Sequence, residues 1–200
     1  MAIIELDGVR PLTYDLMAGD IIAFIEEAVG GPAHLVGHSD GANVALHVAL
    51  RRPDLVRKAV LISGNFHHDG LLPVVFDDLT DPGVIAALGP RYGEVSPDGE
   101  AHFPVLAEKV LRMARAEPTL TEDDLAAVAV RTLVMAGDDD VVRLEHTAAL
   151  YRAVPGAELA VVPGTSHLLV LDKPGTVYGL VADFLATDPV PTLAPIRRAP

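Results

Sequence analysis

Residues 33–53 read AHLVGHSDGANVALHVALRRP. Ala33 to Gly37 form a short, almost wholly apolar run, Gly37-His38-Ser39-Asp40-Gly41 supplies a turn, and an Ala/Val/Leu-rich stretch then runs to Arg51-Arg52-Pro53. This is the pattern of a strand, a tight turn and a helix. The turn fits G-x-S-x-G, in which glycine permits a strained bend that holds the serine out at the strand's C-terminal end. Ser39 is therefore the candidate nucleophile.

Upstream, Met17, Ile21, Phe24, Ile25 and Ala28 fall at helical spacing, with Thr13 as N-cap and Gly30-Gly31-Pro32 as the stop, predicting a helix over 14–29. A short strand fits at Ala2 to Leu6. Downstream, Ala59-Val60-Leu61-Ile62, Thr132-Leu133-Val134-Met135-Ala136 and Leu159-Ala160-Val161-Val162 repeat the compact apolar signature. With Ala33 to Gly37 they predict strands buried on both faces. Helices at about 143–153 and 175–186 alternate with them, the second carrying Val177, Leu180, Val181, Phe184 and Leu185 on one face. Such alternation predicts an α/β fold, a mostly parallel sheet of about four main strands with flanking helices.

Phe66 to Val130 breaks that rhythm, opening with closely spaced Pro, Gly and Asp before a helical pattern at Leu106, Val110 and Met113. A structureless loop of that length would be unusual, so the segment reads as a helical cap-like insertion. The expected organisation is residues 1–65 as the first part of the core, 66–130 as the cap, 131–187 as the second part of the core, and 188–200 as a Pro-rich mobile tail.

The chain has 200 residues, 50% hydrophobic and 22% charged, which suffices for one sizeable core despite a formal charge of −13. The acidic balance, without a Lys/Arg cluster interleaved with aromatics, argues against a nucleic-acid partner. Cysteine is absent, which removes disulfides, thiolate metal sites and a cysteine nucleophile and points to the cytoplasm. MAIIELDGVR lacks the basic region and long apolar stretch of a secretory signal, and no apolar run is long enough to span a bilayer, so no membrane partner is expected.

A serine hydroxyl is weakly nucleophilic near neutral pH, so it needs a base, and the base needs an orienting group. His167 follows a predicted strand directly, in a loop aimed at the same sheet edge as Ser39. Asp138-Asp139-Asp140 follows the preceding strand after Gly137 and supplies a carboxylate at that edge. The order Ser, Asp, His differs from those of the chymotrypsin and subtilisin types. His38, beside the nucleophile, and Asn65, Phe66 and His67, directly after a strand, are candidate oxyanion or substrate-binding residues. His67-His68-Asp69 is a weak metal pattern for want of a well-spaced further ligand, so neither a metal nor a cofactor is expected. Glu145-His146 reads as a solvated face or cap.

The stretches LVGHSDGANVALHVALRRPDLVRKAVLISG, RTLVMAGDDDVV and LAVVPGTSHLLVLDKPGTVYGLVADFLA, in that order, resemble the α/β-hydrolase superfamily, specifically its esterase-like members with a G-H-S-x-G elbow. The resemblance covers about residues 12–187 and implies Ser39 as nucleophile, Asp140 as acid, His167 as base, and the backbone N–H of Asp40 as one oxyanion donor. It implies a small-molecule acyl substrate cleaved through an acyl-enzyme, whereas dehalogenases and epoxide hydrolases of similar fold carry aspartate at the elbow. Asp138 or Asp139 stays open as an alternative to Asp140.

Family members place several strands before the elbow, and the loop after one of them, often containing His-Gly, supplies a second oxyanion N–H. Only 38 residues precede Ser39 here, without a His-Gly dipeptide. The expectation is a chain lacking the first strands, with the elbow strand at an exposed sheet edge open to self-association. The competing expectation is an inactive hydrolase-like fragment or interaction module with an incomplete oxyanion hole. A third is a binding protein that uses the cap pocket.

Overall fold

A computed structural model describes residues 11–78, 81–189 and 192–194. The strand expected at Ala2 to Leu6 and most of the expected mobile tail lie outside these residues. Four strands, β1 (Ala33–His38), β2 (Val56–Ile62), β3 (Thr132–Asp139) and β4 (Glu158–Ser166), form one sheet in the order β1-β2-β3-β4. Each neighbouring pair is parallel. Because all strands run the same way, their C-terminal ends share one rim, where ligands of open α/β sheets bind.

The helices follow from the same patterns. Thr13 caps α1 (Tyr14–Phe24), its side chain accepting from the Leu16 N–H at 3.1 Å. The helix then loosens into a π-turn over Ile25–Val29, closed by left-handed Gly30 at φ 73°. The remaining elements are α2 (Asp40–Arg51), α3 (Val74–Asp78), α4 (Pro82–Val95), α5 (Phe103–Ala114), α6 (Glu122–Ala126), α7 (Leu144–Ala153), α8 (Leu169–Asp172) and α9 (Pro174–Ala186). Among the described residues, none of these helices is long and apolar enough to cross a membrane.

Strand alternation divides the core in two. Ala59 and Leu61 of β2 face a cluster with Tyr14, Ala18 and Ile22 of α1 and Ala45 and Val48 of α2. Val60 and Ile62 face the opposite cluster with Met135, Val162 and, from α9, Val177, Val181 and Phe184. Successive side chains of a strand point to opposite faces, so the inner strands need apolar residues at every position. At the far end of the sheet Lys58 Nζ donates to the carbonyls of Phe184, Leu185 and Thr187 at 3.1, 2.9 and 2.7 Å, capping α9 with a cation.

Burial on both faces holds for β2 and β3 but not for the outer strands. In β1 His34 and Val36 are exposed, Val36 at 52%, and β4 also shows an open face. Val36 lies opposite Val60 in the ladder and so points to the α9 side of the sheet, where this outermost described strand is left uncovered. The segment between β2 and β3 holds α3 to α6, so the insertion is helical as its periodicity predicts.

Candidate active site

The bend after β1 is strained at the serine. Ser39 has φ 56° and ψ −123°, a backbone conformation rare for a residue with a Cβ. Its N–H donates to the Ile62 carbonyl at 2.9 Å and its carbonyl accepts from the Ala42 N–H at 2.9 Å, so both neighbours hold the bend. Gly37 is required by close approach, since a Cβ there would lie 2.1 Å from the Gly41 oxygen. The serine stands at the N-terminal end of α2, where unpaired N–H groups and the helix dipole favour developing negative charge.

The other polar groups come from the same rim. Asp140 follows β3, and its Oδ1 accepts from His167 Nδ1 at 2.8 Å and from the Val142 N–H at 3.1 Å. The Ser63 hydroxyl, at the end of β2, donates to Asp140 Oδ2 at 2.5 Å. The Asp140 side chain is only 2% exposed. Burial pushes its carboxyl up, but the hydrogen bonds from His167, Ser63 and Val142 outweigh that and hold it below the usual carboxylate range. An ionised carboxylate can only accept, which fixes the His167 proton on Nδ1 and leaves Nε2 to accept from the Ser39 hydroxyl at 2.9 Å.

Within the acidic run the three aspartates separate. Asp138 Oδ1 accepts from the Thr165 N–H at 3.1 Å and ties β3 to β4, while Asp139 is exposed. His167 is itself braced. The N–H and hydroxyl of Ser166 donate to Asp172 at 2.8 and 2.7 Å, and His38 Nε2–H donates to the His167 carbonyl at 2.8 Å.

A cavity of about 210 Å³ opens beside Ser39 and His167, walled by Leu71, Val75, Val110, Ala114 and Val141 and by the polar residues Tyr14, Asp40, Ser63 and Asn65. Asn65 lines it, yet its amide is occupied: Oδ1 accepts from Asn43 at 2.9 Å and Nδ2 donates to the His67 carbonyl at 3.0 Å. Phe66 and His67, expected at the substrate wall, do not line this cavity. Residues 66–68 turn away to meet 118–120, with Leu120 N–H donating to Phe66 O and His68 N–H to Pro118 O. His38 likewise does not line this cavity and borders the groove along β1 instead.

Sequence reasoning misses four contributors. Ser63 has φ 52°; its only signal is a Ser-Gly pair directly after a buried strand. Tyr14 donates its hydroxyl to Asp40 Oδ1 at 2.7 Å. Asp172 closes the His167 loop. His146, expected on a solvated face, stacks on Phe66 at 4.0 Å and accepts the Phe66 N–H on Nε2 at 3.1 Å. Burial, then the charges of His67 and Arg143, lower its pKa to about 4. His67, His68 and Asp69 bring their donor atoms within 4.8 Å of one another, but the two imidazoles stack at 4.4 Å and Arg143 donates to the Asp69 carbonyl, so a cation would meet a competing positive charge.

The profile of the alpha/beta hydrolase family matches residues 6–180. The chain belongs to the alpha/beta hydrolase family. This alpha/beta hydrolase is 28% identical over 205 residues to "Putative carbamate hydrolase RutD" of Pseudomonas syringae pv. syringae (strain B728a), covering 91% of this chain and 79% of that one. Among solved structures it is similar to MGS-M2, an alpha/beta hydrolase from a Medee basin deep-sea metagenome library, with TM-score 0.71 and 19% identity, covering 93% of this chain and 76% of that one. It is also similar to Est816, described as an N-acyl homoserine lactone degrading enzyme, with TM-score 0.69 and 24% identity, covering 90% and 77%. At such identity the two structures support the fold alone.

Proposed function

We propose that this alpha/beta hydrolase is a serine hydrolase that cleaves an ester or related acyl bond through an acyl-enzyme. The reading is carried by one observation, the continuous hydrogen-bond chain from Ser39 through His167 to Asp140 at 2.9 and 2.8 Å. His167 Nε2 takes the Ser39 proton as Oγ attacks the carbonyl carbon. Asp140 orients the imidazole and stabilises the imidazolium that forms. The Asp40 N–H, at the start of α2, donates to the developing oxyanion. His167 then gives the proton to the leaving group, and a water deprotonated by the same nitrogen cleaves the acyl-enzyme.

The cavity of about 210 Å³ suits a small acyl group. Residues 66–130 act as a cap in this reading, contributing Leu71, Val75, Val110 and Ala114 to its wall. The carbamate in the name of the RutD relative is an acyl bond of the same kind, so carbamates belong in the substrate screen beside esters.

Treatment with a fluorophosphonate probe followed by peptide mass spectrometry tests the mechanism. The expected result is one adduct, on Ser39, absent in Ser39→Ala and strongly reduced in His167→Ala. A folded chain that gains no adduct overturns the reading. That outcome would select an interaction module, which the edge of β1, unpaired by any other described strand, favours.

A further inference from the structure

We infer that the cavity beside Ser39 selects substrates that carry an ammonium or other N–H donor close to the scissile carbonyl, with the Asp40 carboxylate as the acceptor. The inference rests on the Ser39 hydrolase reading and names the substrate class of that site. It comes from following the polar groups of an otherwise apolar wall. Ser63 gives its hydroxyl to Asp140, and both ends of the Asn65 amide are engaged by Asn43 and His67. Tyr14 gives its hydroxyl to Asp40 Oδ1 at 2.7 Å. Apart from Ser39 and His167, that leaves Asp40, which borders both this cavity and the groove along β1, as the lining side chain with an oxygen, Oδ2, that takes no hydrogen bond from the described residues.

The carboxylate is held in place. Tyr14 is 2% exposed, and burial followed by the neighbouring Asp40 charge pushes its phenol pKa up, so the hydroxyl stays a donor to Asp40. The Tyr14 backbone N–H donates to Glu117 at 3.0 Å, which places a second carboxylate beside Tyr14. Among the described residues lining the cavity there is no Lys or Arg to offset them. An unneutralised carboxylate on an apolar wall attracts a cation or N–H donor more strongly than it would in water and repels an anion. The same carboxylate costs nothing to a small neutral acyl group beyond its desolvation.

The test uses the full chain with three 4-nitrophenyl esters alike in size: 3-aminopropanoyl, butanoyl and malonyl, ending in ammonium, methyl and carboxylate. Background hydrolysis is subtracted from each. The expected order of kcat/KM is ammonium, then methyl, then carboxylate, with about 10–100-fold between the first and the last. Asp40→Asn keeps the side-chain volume and the backbone N–H, and it is expected to shrink the ammonium-to-carboxylate ratio by a similar factor whatever it does to the absolute rates. Equal or reversed preference in the wild type, or a ratio unchanged in Asp40→Asn, overturns the inference. Failure of the hydrolase reading is distinguishable, because it abolishes turnover of all three esters and the fluorophosphonate adduct together. The selectivity then still answers to binding: in Ser39→Ala, NMR titration with 3-aminopropanamide, butanamide and malonamate is expected to keep the same order, and an absent order overturns it.

Discussion

On the inner flank of the serine bend, Ser39 donates to β2, and the Ser63 hydroxyl and the Asp140 carboxylate come from the ends of β2 and β3; within the bend itself a Cβ on Gly37 would collide with the Gly41 backbone at 2.1 Å. On the outer flank, Gly41 meets nothing within 4 Å, Val36 is 52% exposed, and a groove of about 460 Å³ lined by Met17, Ile21, Phe24 and Leu35 runs along the edge of β1 that no other described strand pairs. Both flanks belong to one five-residue motif, yet only the inner one is packed. The bonds that orient Ser39, His167 and Asp140 are therefore drawn from the sheet interior, where parallel strands fix their ends relative to one another. The outer flank contributes chiefly the Tyr14 contact to Asp40.

The largest expected difference is catalytic and lies on the inner flank. With an activated ester, Ser39→Ala is expected to lower kcat by about 10⁶-fold and Asp140→Asn, which loses the acceptor that fixes the His167 tautomer, by about 10⁴-fold. Near-wild-type turnover in either variant would break the assignment. Next comes the pair of glycines. Gly37→Ala is expected to cost about 3 kcal/mol or more, or to prevent folding, because the atoms in the way are backbone. Gly41→Ala, in the first turn of α2 with open space around it, is expected to leave urea stability unchanged or raise it by up to about 1 kcal/mol. Equal losses at both positions would show that Gly41 has no more room for a side chain than Gly37.

His146 sharpens the comparison through pH. It joins the loop after β2 to the start of α7, and its native pKa of about 4 lies below the ordinary 6.5. The unfolded chain therefore binds the proton first, so stability is fully present above pH 6.5 and falls as the pH drops towards 4. Over that window the loss amounts to about 3 kcal/mol, read from urea midpoints at stepped pH. His146→Gln, which cannot titrate, is expected to flatten this limb; an unchanged limb would assign the acid sensitivity elsewhere. The smallest effect is on the outer flank. We propose that two copies associate through the edge of β1, with Val36 in the contact. Val36→Lys should shift stability by no more than about 0.5 kcal/mol while reducing any concentration-dependent dimer seen by size exclusion. A wild-type monomer at high concentration would remove that proposal.

The alternation of apolar runs with helical periodicity was enough to read four strands, their parallel direction and the helices at 14–29, 143–153 and 175–186, because burial on a sheet face demands residue types that composition displays directly. Ser39 and His167 were legible for a related reason: each follows a strand at once, and in a parallel sheet that alone assigns them to one rim. Phe66 and His67 share that position and still miss the cavity, since whether a loop continues outward or doubles back onto 118–120 depends on a distant segment.

What the chain itself determined was the sheet, the Gly-His-Ser-Asp-Gly turn and the set of carboxylates that could meet His167. Only the tertiary structure set Asp140, rather than Asp138 or Asp139, against His167, brought Ser63 to its second oxygen and set Tyr14 against Asp40. Periodicity and turn patterns are short-range properties of neighbouring residues, whereas a hydrogen bond between positions 77 apart, such as Ser63 to Asp140, exists only once strands have registered side by side.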